Sequence, residues 1–226
     1  MKFHILTLIA TLSFGCQNPP ALNKDLKSQL HTVRTSDQEI RELCYGNISG
    51  KRREELNAKY DVDFQNNYKL SSKKMHQIDR NNLRIIKKII EQFGYPKINV
   101  VDTPLNETVW LIIQHNPNEL EKYMPLLEKA GKAGDIEMTK VALSQDRMLM
   151  NQGKEQIYGS QGSSISQPIG TKQNQYTFFI WPIKNPNEVN KRRAEVGFKT
   201  TIEEYAKLLN MEYEPLTLED VKAMEE

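Results

Sequence analysis

With 226 residues, 38% of them hydrophobic, the chain is long enough for one domain with its own core, or for one domain with a helical extension. Its 31 Lys and Arg against 29 Asp and Glu leave the charge nearly balanced, without the basic field of a nucleic-acid binder, so no nucleic-acid partner is expected. Two cysteines are too few for a disulfide framework, and the sequence contains no internal repeat or long low-complexity run.

The first segment, MKFHILTLIATLSFGCQNPP, has a basic start, an apolar run from Ile5 to Phe14 and a small Gly15 before Cys16. This is the pattern of a secretory signal peptide over residues 1–15, too short to remain as a membrane-spanning helix. Its end resembles the lipobox of bacterial lipoproteins, although Ser13 and Phe14 depart from the commoner Leu-small pattern before Gly-Cys. The resemblance implies a lipidated Cys16, a tether over residues 16–23, and an exported protein of the bacterial cell envelope whose membrane partner is reached through acyl chains. At about 0.8 kcal/mol per buried methylene, two or three such chains anchor a protein almost irreversibly. Acylation of Cys16 leaves Cys44 as the only thiol, and its helical spacing after IREL makes it a small core residue.

From Lys24 to Leu43 the apolar positions Leu26, Leu30, Val33, Ile40 and Leu43 predict one or two helices, and residues 51–70 a short helix with an irregular link. A second region, 71–226, opens with a long amphipathic helix capped by Ser71 or Ser72 and stopped at Gly94. INVV is expected to be a short strand or an extended link. Helices follow over Leu105–His115, from Pro117 to Gly131 or Gly134, and over Ile136–Gln152. The period then changes, and EQIYGSQ and QYTFFIWPI are predicted to be two strands joined by a Ser/Gly-rich loop over 162–174. Helices opened by Pro186, stopped at Gly197, and capped by Thr217 complete the chain. The expected fold class is mainly α, a single helical domain with a small antiparallel β-hairpin late in the chain.

Residues three, four and seven apart share a helix face, so polar intruders on an apolar stripe can be found by spacing. Asp79 falls in line with Leu83, Ile86 and Ile90, and Asn82 with Ile86, Ile89 and Phe93; Gln114 and His115 lie one turn after Trp110 and Leu111. Asp146 shares a face with Ala142 and Leu149, and Arg147 shares one with Leu143 and Met150. Adjacent side chains diverge by roughly 100°, so Asp146 and Arg147 each need a partner elsewhere. Arg193 points inward, Arg192 toward surface Glu188 and Glu195, and on a strand Gln156 and Tyr158 would share a face.

The blocks DRNNLRIIKKIIEQFGYP, VWLIIQHN, LSQDRMLMNQGKEQIYGSQ and WPIKNPNEVNKRRAEVGF, in this order over Asp79–Phe198, resemble the uncharacterised bacterial domain-of-unknown-function family 6624. Family-like positions are Asp79, Asn82, Trp110, Gln114, His115, Asp146, Arg147, Gln156, Tyr158, Gly159, Gln161, Asn190, Arg192, Arg193 and Gly197, while Ser160 stands where Thr is commoner. The resemblance implies a shared site and names no reaction.

No phosphate-binding loop, nucleophile elbow, paired CxxC or HExxH occurs, and no metal or cofactor is expected. The first expectation is a binding lipoprotein in which Arg147 and Arg193 grip a small anionic or carboxylate-bearing ligand, oriented by Gln114, Gln156, Tyr158 and Gln161. The alternative is an envelope hydrolase or transferase with His115 as general base and Asp146 as its orienting group or as an acid. A third reading makes the polar cluster a device that fixes helix register.

Overall fold

The computed structural model of the protein describes residues 24–63, 68–169 and 173–225; the expected signal peptide, Cys16 and the expected tether lie outside them. Ten α-helices, two short 3-10 helices and one two-stranded antiparallel sheet account for the described elements, so the fold is the mainly helical one with a late hairpin. No described helix is long and apolar enough to cross a membrane.

The helix α1 (Lys24–Tyr45) lies along α3 (Tyr68–Phe93), with α2 (Gly50–Tyr60) across its C-terminal half. Its stripe serves two apolar clusters in turn. Leu26, Leu30 and Val33 join the main core with Ile86, Ile112, Ile113, Leu120 and Leu127, whereas Ile40 and Leu43 pack with Leu56, Tyr60 and Ile78. Fully burying side chains of this size stabilises by about 1.5–3 kcal/mol each. Between the two clusters the same stripe carries Asp37, which is wholly buried.

INVV is neither strand nor extended link: Ile98–Val101 forms a single helical turn, α4. A 3-10 turn over Leu105–Glu107 leads into α5 (Thr108–Gln114), whose C-cap is His115. Pro117 opens α6 (Pro117–Lys132), and α7 (Met138–Asn151) packs back on it. Gly131 lies inside α6 instead of ending it, because a Cβ there would come within 2.7 Å of Met138 Sδ and Val141 Cγ2. The helix α3 begins at Tyr68, so Ser71 is an interior residue and not its cap.

The predicted strand and loop change places in the hairpin. Gly162–Ile169 is strand β1, pairing antiparallel with β2 (Gln173–Ile180) in the register Gly162↔Ile180 to Ile169↔Gln173. Residues 157–161 form no strand; only Gln156 bridges, in parallel, to Ile183. The amides of Ile157, Tyr158 and Ser160 are engaged by a helix side chain, Asp146, and are lost to a ladder. The short helices α8 (Val189–Val196), α9 (Ile202–Leu208) and α10 (Leu218–Glu225) follow. A reciprocal pair, Thr201 with Glu204, caps α9, and Thr217 with Asp220 caps α10 in the same way.

Candidate functional site

Hydrogen bonds divide the predicted site residues between two networks. The first is built around the loop 156–161. Asp146, buried on α7, accepts the backbone N–H of Ile157 (2.7 Å), Tyr158 (3.0 Å) and Ser160 (2.9 Å). Burial pushes its carboxyl above the ordinary carboxylate range, against the downward pull of these amides and the Ser160 hydroxyl. Gln156 clips the loop shut: its Oε1 accepts from Gln161 N–H (2.9 Å), and its Nε2 donates to the carbonyls of Gln161 and Trp181.

The loop carbonyls are held from the other side. Arg193, 1% exposed, donates to Tyr158 O (2.8 Å), Thr200 O (2.9 Å) and the Thr200 hydroxyl (3.0 Å), with its guanidinium over Phe198 and Tyr205. Arg192 donates to the carbonyls of Ile157, Lys184 and Asn185, where the sequence suggested surface glutamates. Tyr205 donates its hydroxyl to Ser160 O. Gly159 sits at φ +69°, where a Cβ would meet Ile202 and Ile183 Cδ1 at 2.6 and 2.7 Å, so no other residue fits. Gln156 and Tyr158 therefore share no strand face; the Tyr158 ring instead leans on Phe198. Arg147 links this network to α5 by donating to Gln161 Oε1 and to the Gln114 carbonyl, both at 3.1 Å. Burial lowers the proton affinity of both Arg147 and Arg193.

The second network holds His115. Its Nδ1 lies 2.9 Å from Asp37 Oδ1, and a carboxylate only accepts, so Nδ1 donates and, in the neutral imidazole, the lone pair is on Nε2. The carboxylate that orients His115 is thus Asp37 and not Asp146, whose oxygens are taken up by the loop. Arg41, one turn beyond Asp37 on α1, reaches the same Oδ1 (2.8 Å) and ties it to Asp79 on α3 (2.9 Å). Gln38 Nε2 donates to Asp37 Oδ2 (2.8 Å). Asn82, buried as its spacing predicts, accepts from Ser36 and donates to Val33 O, fastening α3 to α1 beside this group.

His115 lines an open cavity of about 250 Å³. One wall is the α3 face His76, Asp79, Arg80 and Leu83; the other runs from His115 to Glu119, across the junction of α5 and α6. Nδ1 is held by buried Asp37, and Nε2 has no hydrogen-bond partner among the described residues. Among the same residues no cluster of three or more His, Cys, Asp or Glu is arranged to hold a metal ion.

Sequence reasoning placed neither Asp37 nor Arg41 in the site. The signal was present in the stripe Leu30, Val33, Asp37, Ile40, where a carboxylate occupies an apolar position.

Residues 24–217 match a family of unknown function, DUF6624, and the chain belongs to that family. Neither the curated proteins nor the solved structures contain a match to it.

Proposed function

We propose that this DUF6624 protein is a membrane-anchored enzyme of the cell envelope, a hydrolase or transferase in which His115 is the general base. The observation that carries the reading is the His115–Asp37 pair at the wall of an open cavity. A buried carboxylate fixes the tautomer and offsets the charge that the imidazole gains when Nε2 takes a proton, and an unpaired nitrogen on a residue lining the cavity is free to serve a substrate hydroxyl or water. Asp79 and Arg41 hold Asp37 in turn, so the base and its support come from α1, α3 and the end of α5.

Ligand binding by Arg147 and Arg193 is less well supported, because their donors are directed to Gln161, Gln114, Tyr158 and Thr200. The test is a panel of carboxylic esters, amides, phosphate esters and glycosides, offered to the wild type and to His115→Asn. The Asn amide can replace Nδ1–H on Asp37 but supplies no base at the Nε2 position. Turnover of at least one class is expected in the wild type, with a loss on the order of 10²–10⁴-fold in the variant. Equal turnover by both proteins overturns the role of His115.

The anchor is proposed from the Gly15-Cys16 junction alone. Growth with a fatty-acid analogue is expected to label the wild type and not Cys16→Ser. Equal labelling of the two removes the lipid.

A further inference from the structure

The cavity beside His115 is lined by five titratable side chains: His76, Asp79, Arg80, His115 and Glu119. Its two carboxylates are already engaged by cations that do not line it. Asp79 pairs with Arg41 at 2.9 Å and Glu119 with Lys87 at 2.6 Å. Arg80 is different: it is exposed and has no ion-pair or hydrogen-bond partner among the described residues. His76, one turn before it on the same helix face, is likewise unpaired there. The cavity therefore offers one guanidinium without a carboxylate partner and two imidazole edges, while both of its carboxylates are already engaged by cations, Asp79 sharing Arg41 with Asp37.

A volume of about 250 Å³ falls below the range of pockets that enclose a whole drug-sized ligand. It suits a single functional group with the rest of the molecule outside. We infer that this cavity receives an oxyanion of the substrate, a phosphate or a carboxylate, with Arg80 as its charge partner and His76 as a second donor. This rests on the reading of His115 as a base, since the anion docks the substrate within reach of Nε2. Guanidinium is suited to the task because its planar array of N–H donors engages two oxygens at once. The opening of the cavity lets the remainder of the substrate extend along α3.

The experiment follows the imidazole C2–H resonances of the full chain by NMR at constant pH and ionic strength, titrated separately with inorganic phosphate and with acetate. The same titrations are run on Arg80→Ala and on Arg84→Ala, a control one turn farther along α3 and outside the cavity. At least one anion is expected to shift the resonances of His76 and His115 saturably in the wild type and in Arg84→Ala. Arg80→Ala should weaken that anion at least tenfold; because Arg80 is exposed and unpaired, the fold does not depend on it. Which anion is bound identifies the group as phosphate or carboxylate. Absence of any saturable shift, or equal affinity in all three proteins, overturns the inference. The two readings fail separately. Arg80-dependent anion binding without a His115-dependent activity keeps the anion site and removes the base. Turnover lost in His115→Asn, with no anion bound by the wild type, keeps the base and removes the anion site.

Discussion

Asp146→Ala is expected to lower the free energy of unfolding by about 3–5 kcal/mol, among the largest losses from any single substitution in the chain. The backbone amides of Ile157, Tyr158 and Ser160 would lose their acceptor together, and an unsatisfied buried donor costs about 1–3 kcal/mol. The sum is not reached in full, since the truncated side chain leaves room for water near some of these groups. Asp146→Asn should cost less. Its single oxygen can keep Ile157 and Tyr158 in place of Oδ1, but its NH₂ then faces the Ser160 amide, donor against donor. Urea unfolding distinguishes the outcomes: midpoints should order wild type above Asn above Ala, with a constant slope. A loss below about 1 kcal/mol in the Ala variant would mean that the loop 156–161 is held without Asp146.

This loop also answers why an acid and a base stand side by side at 146 and 147 among apolar helix positions. They diverge as neighbours on a helix must, Asp146 into the amides of 157–160 and Arg147 toward Gln161 and the carbonyl of Gln114. Asp146, with Gln156, Arg192 and Arg193, takes up much of the backbone polarity of a loop that has no strand ladder of its own. The polar residues of the blocks resembling the family are thus mostly a scaffold. They fix the hairpin and the last helices to α7, and through Arg147 they reach the residue that precedes His115.

Periodicity exposed the helices because their buried faces are regular: Ile86 and Ile89 on α3, and Leu120, Met124 and Leu127 on α6. Inward placement of Asn82, Asp146 and Arg193 followed from the same spacing. The second strand of the hairpin lies nearly where its aromatic and β-branched run placed it, but the first was displaced by several residues because β1, GSSISQPI, has the composition of a loop, and its pairing with β2 depends on a register that composition does not encode. The partner of His115 was hidden for a different reason. Asp37 and His115 are 78 residues apart, and spacing on one helix cannot report a contact between two. What spacing could report, a carboxylate on the stripe of α1, gains its meaning only once α5 is packed against that stripe.

Asp37→Asn should separate the charge of this pair from its geometry. Asn at 37 can keep its oxygen toward His115 Nδ1 and Arg41, and turn its NH₂ toward Gln38. Gln38 is exposed and free to rotate its amide so that Oε1 accepts. The hydrogen bonds are then conserved, the imidazole keeps its tautomer, and Arg41 retains Asp79. The fold should change by only about 1 kcal/mol. What disappears is the negative charge that stabilises the imidazolium formed when Nε2 accepts a proton, so turnover should fall on the order of 10²-fold with substrate affinity little changed. Asp37→Ala goes further, leaving Arg41 with Asp79 alone and Nδ1 without its acceptor, and should cost about 1–3 kcal/mol as well as activity. Thermal melts and single-turnover rates on the two variants therefore move independently if His115 is a base supported by Asp37. If Asp37→Asn keeps both its melting temperature and its rate, the carboxylate serves only to join α1 to the end of α5, and the catalytic pair must be given up.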